Sequence, residues 1–152
     1  MSRYVLTAGS LGAAWAALAI VLDGSTEADH SWAIPWQNPW VLLSTLVAGA
    51  LTGLLVSSLF EGAFVRVRRP YDLVLPLITI PFALAVFGSL IWCIRMAFGY
   101  RFTPEMTSTR ELGLIVTTYL VYGCLSLAGP FLYLLAVVTQ RIARSRLEQA
   151  GV

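Results

Sequence analysis

The chain reads as an all-α polytopic membrane protein with four transmembrane helices arranged as two hairpins. Three observations predict it. Of 152 residues, 58% are hydrophobic and only 12% charged, and the mean hydropathy of +0.77 is far outside the range of soluble globular chains. The apolar residues fall in four runs, at 5–22, 41–60, 73–98 and 112–140. A bilayer core of about 30 Å needs roughly 20 helical residues, so four crossings consume nearly the whole chain and leave no room for a soluble domain. A short basic stretch, Arg66-Val67-Arg68-Arg69-Pro70-Tyr71-Asp72, divides the runs into two pairs. The expected layout is one integral-membrane domain with a connector at 61–72 and a tail at 141–152.

The first run follows Arg3 and Tyr4 and carries no charge before Asp23. It is longer than the apolar core of about 7–15 residues in a secretory signal, and Thr26-Glu27-Ala28 is a poor cleavage site, so an uncleaved helix is expected. Ala8, Gly12 and Ala16 form one stripe on it, and Gly9, Ala13 and Ala17 the next. In lipid, small residues let backbones approach, which predicts a place inside a bundle. The loop that follows holds Asp23, Glu27, Asp29 and His30, then Trp32, Trp36 and Trp40 spaced by Pro35 and Pro39. Prolines break a helix there. Indoles suit the headgroup level, so this reads as an interfacial belt rather than a ligand surface.

The second run contains Gly49-Ala50-Leu51-Thr52-Gly53, a GxxxG that Thr45 and Ser57 extend into one small, weakly polar face. Thr45, Gly49, Gly53 and Ser57 are therefore candidates for helix packing or for lining a pore; the motif does not say whether the partner helix belongs to this chain. Glu61 ends the run as a solvated or paired charge. In the connector, the brief alternation from Phe64 to Arg69 is too short and solitary for a sheet and predicts a membrane-surface turn. Arg66, Arg68 and Arg69 there suit anionic lipid headgroups.

The third run carries Pro76 and Pro81, each of which removes a backbone donor and can kink a membrane helix. Pro81, Ala85, Gly88, Trp92 and Arg95 share a stripe. Arg95 lies near the outer end, where its side chain can snorkel, and Glu111 is its candidate partner. Thr109 is a candidate cap for the fourth helix. In that helix Gly129-Pro130 predicts a kink. Tyr119, Tyr122, Ser126, Gly129 and Tyr133 step by three and four, a polar-aromatic line suited to protein or a wet cavity more than to lipid. The tail, with Arg141, Arg144 and Arg146, is expected to continue the helix a turn or two past the membrane.

Charge sets the orientation. Arg3, Arg66, Arg68, Arg69, Arg141, Arg144 and Arg146 lie on one side, against Arg95, Arg101 and Arg110 on the other. The positive-inside rule then makes both termini and the connector cytoplasmic. All ten basic residues are arginine, a compositional bias that hints at a GC-rich bacterial genome and hence an inner membrane.

Most chemistries are excluded by what is missing. His30 is the single histidine, so no pair of axial haem ligands exists within the bundle. Glu27, Asp29 and His30 fall short of a full metal-ligand set. Cys93 and Cys124 are not a CxxC pair. They sit at depths of about 8 Å and about 18 Å from the outer helix ends at 1.5 Å per residue, too far apart for a disulfide, and are expected as buried thiols. No nucleophilic triad, acidic pair, phosphate loop or nucleic-acid patch is present. No catalytic, cofactor or metal residue is therefore nominated. No charge falls near the midplane of any run, which weakens ion-coupled transport, although a pore of hydroxyls and carbonyls needs none. The expected partners are the lipid bilayer and other membrane subunits or further copies of the chain. The expected role is a non-catalytic subunit or accessory protein of a membrane assembly; the alternative is a homo-oligomeric channel, carrier or membrane-permeabilising effector.

Overall fold

The computed structural model describes residues 6, 8–17, 39–67, 71–99, 105, 107–125 and 128–149; among these there is no strand. The helices are α1 (8–17), α2 (Pro39–Arg66), α3 (Leu75–Ala97), α4 (Ser108–Leu125) and α5 (Ala128–Gln149), with a 3-10 turn at Tyr71–Leu73 ahead of α3. Two segments are long and apolar enough to cross a membrane, Leu42–Phe64 and Tyr71–Ala97. A third reaches that measure only when Ser108–Leu125 and Gly129–Ile142, bent by 87°, are taken as one broken span. The ten described residues of α1 rise only about 15 Å.

Element ends differ from the expectation for identifiable reasons. α2 starts at Pro39, whose fixed φ and missing N–H suit a first helical turn. It runs on to Arg66 rather than stopping at 60. Gly62 is the only weak helix former on the way, at a cost of about 1 kcal/mol, and the Arg66 cation complements the C-terminal dipole. Residues 61–66 of the expected surface turn are thus helix, with Val67 N–H still bonded to Ala63 O at 3.1 Å. α3 takes Pro76 in its first turn and continues through Pro81 to Ala97. It stops at Gly99, whose φ of 75° is left-handed backbone that costs glycine nothing.

The expected single kinked helix at 112–140 is two helices, α4 and α5. Pro130 has no N–H for the Ser126 carbonyl, and its ring collides with that turn. As the third residue of α5 the same proline is harmless, because the first N–H groups of a helix have no intrahelical acceptor. α4 begins at Ser108, with Glu111 N–H on Thr107 O at 3.0 Å; Thr109 is therefore inside the first turn and not its cap. α5 extends through the expected tail to Gln149. The expectations for Asp23, Glu27, Asp29, His30, Trp32, Trp36, Arg3, Arg68, Arg69, Arg101 and Ser126 lie outside the described residues.

Packing follows two rows of contacts. An aromatic relay crosses three helices: Trp15 of α1 meets Phe87 of α3 edge-on at 5.6 Å, and Phe87 meets Tyr119 of α4 at 5.1 Å. Such pairs contribute about 0.5–1.5 kcal/mol each beyond burial. At the connector end, buried Phe64 gathers Leu54, Phe60, Leu75 and Ile142, joining α2, α3 and α5. At the opposite end Trp40 and Phe98 lie 6.0 Å apart. The outer faces are apolar: Leu43, Val47, Leu51, Leu55 and Leu59 make an exposed row along α2, and Leu77, Ile78 and Phe82 another on α3. That is the surface expected of helices facing hydrocarbon.

Candidate functional site in a small-residue interior with a latched end

The interior is built by removing side chains. Gly49 and Gly53 of α2 face the first stripe of α1. A methyl group on Gly53 would fall on the carbonyl oxygen of Ala8, and one on Gly12 on that of Gly49. One on Gly49 would stand 2.6 Å from the Ala16 methyl and 2.7 Å from Gly12 O. The pairs Ala8 with Gly53 and Gly12 with Gly49 run in opposite chain directions, so α1 and α2 form an antiparallel hairpin in backbone contact. The GxxxG partner is thus this chain's own first helix. Carbonyls seated over glycines across a helix pair also suit weak Cα–H···O contacts. Thr45 and Ser57 extend this face and are buried, at 7% and 3% exposure.

α3 and α4 use the same device more loosely. Gly88 faces Val116 and Tyr119, and Gly123 faces Leu84. That antiparallel register carries Arg95 to the level of Glu111. Glu111 is fully buried in the first turn of α4, a carboxylate at the end of the bundle opposite the connector.

Between α1, α2, α3 and α5 lies a partly open cavity of about 100 Å³. Gly49, Gly53 and Ser57 line it, together with Trp15, Phe87 and hydroxyls the sequence reading did not single out: Thr52, Thr79 and Thr139. These hydroxyls donate along their own helices, Thr52 to Ala48 O at 2.8 Å, Thr79 to Pro76 O at 3.4 Å and Thr139 to Leu135 O at 2.8 Å. A threonine satisfied in this way presents mainly its methyl group and an acceptor lone pair to the space.

The tyrosine line does not form one surface. Tyr119 packs on Phe87; Tyr122 is 62% exposed; Tyr133, on the far side of the helix break, donates to Leu73 O at 3.1 Å. None of the three lines the cavity. The spacing was continuous only for an unbroken helix. The two cysteines also depart from expectation. Both are free and exposed, on outward faces where a thiol behaves as a small apolar side chain.

The connector end is held by one guanidinium. Arg144 of α5 donates from Nε to Phe64 O at 3.2 Å, from Nη2 to Val67 O, and from Nη1 to Asp72 Oδ2 at 3.1 Å. Carbonyls in the last turn of α2 have no intrahelical donor, and a planar fork with several N–H groups can reach two of them and a carboxylate together. Both members of the ion pair are sheltered, Arg144 at 25% and Asp72 at 16% side-chain exposure. The cation expected at the lipid headgroups is engaged with protein, whereas Arg66 and Arg141 remain exposed; Arg146 falls in the same last turns of α5. Asp72 and Arg144 stand 72 positions apart, and no local pattern announces their meeting. Among the described residues, no three His, Cys, Asp or Glu side chains group as a metal site would require.

No protein-family model, curated protein or solved structure matches this chain.

Proposed function

We propose that the chain is a non-catalytic subunit or accessory protein of a larger membrane assembly. In this reading it crosses a bacterial inner membrane four times, with both termini and the connector on the cytoplasmic side. The observation that carries it is the use made of the small-residue face. Gly49 and Gly53 pack against α1 of the same chain, so the small-residue face is used for an internal helix contact, with a cavity of only about 100 Å³ beside it. What remains outward on α2 and α3 is long and apolar, the kind of surface that other membrane helices or lipid can cover. Seven arginines on the connector side against three opposite support the orientation.

The alternative, a homo-oligomeric channel, carrier or permeabilising effector, draws on Tyr122. Its ring and hydroxyl stand 62% exposed on α4, where contact with a second copy would remove the hydroxyl from hydrocarbon.

Native mass of the gently solubilised protein from its own host, with identification of co-migrating chains, separates the two. A stoichiometric set of different chains is the expected result. A closed ring of identical chains reverses the order of the readings, and conductance across vesicles, with Tyr122→Ala as the sensitive variant, then becomes the deciding measurement.

A further inference from the structure

The direction of α5 differs from what a helix following α4 would take. α4 is 18 residues long, about 27 Å at 1.5 Å per residue, close to the hydrocarbon thickness of about 30 Å. It pairs with α3 in antiparallel register, Gly88 against Val116 and Tyr119, and Gly123 against Leu84. Continued straight, that register brings Tyr133 near Leu73 and carries Arg144 about 15 Å past it, clear of the bundle. Tyr133 does donate to Leu73 O. Arg144 instead reaches the adjacent residue, Asp72, together with Phe64 O and Val67 O. Two ties that stand about three turns apart on α5 thus end on neighbouring residues of the connector, in agreement with the 87° turn from α4. α5 lies across the connector end of the bundle and does not prolong it.

The two sides of this crossing helix differ. Leu132, Leu135, Ala136 and Thr139 line the cavity, so one side is turned to the bundle. On the other side Phe131, Leu134 and Val138 are exposed and recur at helical spacing. Exposed Arg141 and Ser145 follow them along the same side. Arg66 is exposed at this level too, since Phe64 packs on Ile142 and brings the end of α2 beside that part of α5. An apolar stripe continued by cations is the pattern of a helix that rests in the boundary between acyl chains and headgroups. Arginine stems can lie along the apolar layer there while the guanidinium groups reach the phosphates.

We propose that α5 is an interfacial helix whose outward side rests in the connector-side surface of the membrane. Phe131, Leu134 and Val138 then lie against acyl chains, Arg141 and Arg66 against the phosphates of anionic lipids, and α4 alone makes the fourth crossing. This rests on the four-crossing topology proposed above.

The test is a depth profile. Single spin labels are attached through Phe131→Cys, Leu134→Cys, Val138→Cys, Arg141→Cys and Ser145→Cys in the full-length Cys93→Ser/Cys124→Ser chain. Each variant is reconstituted into vesicles of phosphatidylethanolamine and phosphatidylglycerol. Collision with oxygen, which partitions into lipid, and with a water-soluble nickel chelate reports the depth of every label. The five depths are expected at the acyl–headgroup boundary, within about 5 Å of one another, the range over which such helices sink. A helix that prolongs the crossing or projects into water separates Phe131 from Ser145 by about 21 Å, and a ramp of that size overturns the proposal. Labels through Leu43→Cys, Leu51→Cys and Leu59→Cys on α2 read the topology separately. A ramp of about 24 Å there, with level depths on α5, supports both readings; no ramp on α2 overturns the four-crossing topology whatever α5 shows. Labels at Phe131 and Leu134 shielded from oxygen and nickel alike, with spin–spin broadening, overturn lipid as the cover in favour of a second copy. Exchanging phosphatidylglycerol for phosphatidylcholine is expected to move the Ser145 label toward water while Phe131 stays in place, and an unchanged Ser145 depth overturns the contact with anionic phosphates.

Discussion

The α1/α2 hairpin and the α5 segment are held in opposite ways. In the hairpin, glycines and alanines bring two backbones into contact. α5 follows a break, turns 87° from α4, and is tied down by long polar side chains that reach backbone carbonyls: Tyr133 to Leu73, and Arg144 to Phe64 and Val67. The difference reflects what each segment has available. Side chains as small as these leave close van der Waals contact between the backbones to hold the pair. At the connector end, unpaired carbonyls of a helix terminus are present, and a charged donor gains most from them.

That contrast can be broken from either side. The largest effect is expected from Gly53→Leu, which drives a side chain into Ala8 O and should separate α1 from α2, at a cost of about 3 kcal/mol or more. Gly62→Leu, at a glycine with nothing within 4 Å of an added Cβ, should cost nothing and gain up to about 1 kcal/mol of helix propensity. Reversible unfolding in mixed micelles compares them, and equal losses would show that the hairpin does not depend on backbone contact. Next is Arg144→Ala, which takes the donor from two carbonyls and one ion-pair partner from Asp72 and should cost about 2–3 kcal/mol. Arg144→Lys should recover less than half of that, since an ammonium cannot copy the fork. Hydrogen exchange over 64–74 is the sensitive readout, because the loss should appear there before it reaches α3 and α4. The smallest is Tyr133→Phe, which removes one hydrogen bond and keeps the ring, for about 1 kcal/mol. A loss as large as that of Arg144→Ala would mean that Tyr133, and not the guanidinium, is the principal tie on α5.

The glycine face illustrates how far sequence reasoning reached into the site. The spacing of Thr45, Gly49, Gly53 and Ser57 marked a close-packing surface because periodicity alone places them together, and the small stripes of α1 were legible for the same reason. The pairing of the two was not, since any small-residue helix presents a similar invitation. The tyrosine row is divided between two helices, because a stripe needs a continuous helix and Tyr133 lies on α5, which begins at Ala128, whereas Tyr119 and Tyr122 lie on α4. Thr52, Thr79 and Thr139 went unnoticed because each is an ordinary hydroxyl in its own helix and becomes a wall of one cavity only when three helices meet.

The amino-acid sequence by itself determined the all-helical class, the apolar spans of α2 and α3, the division at the arginine-rich connector and the disturbance at Gly129-Pro130. These follow from composition and local backbone chemistry, which act over a few residues. The tertiary structure decided that α1 is the partner of the GxxxG face, that Arg144 closes onto the end of α2 and Asp72, and that Glu111 and Gln140 are buried. Each of those depends on which segments distant in the chain come within a few ångströms of one another, and neither periodicity nor hydropathy carries that information.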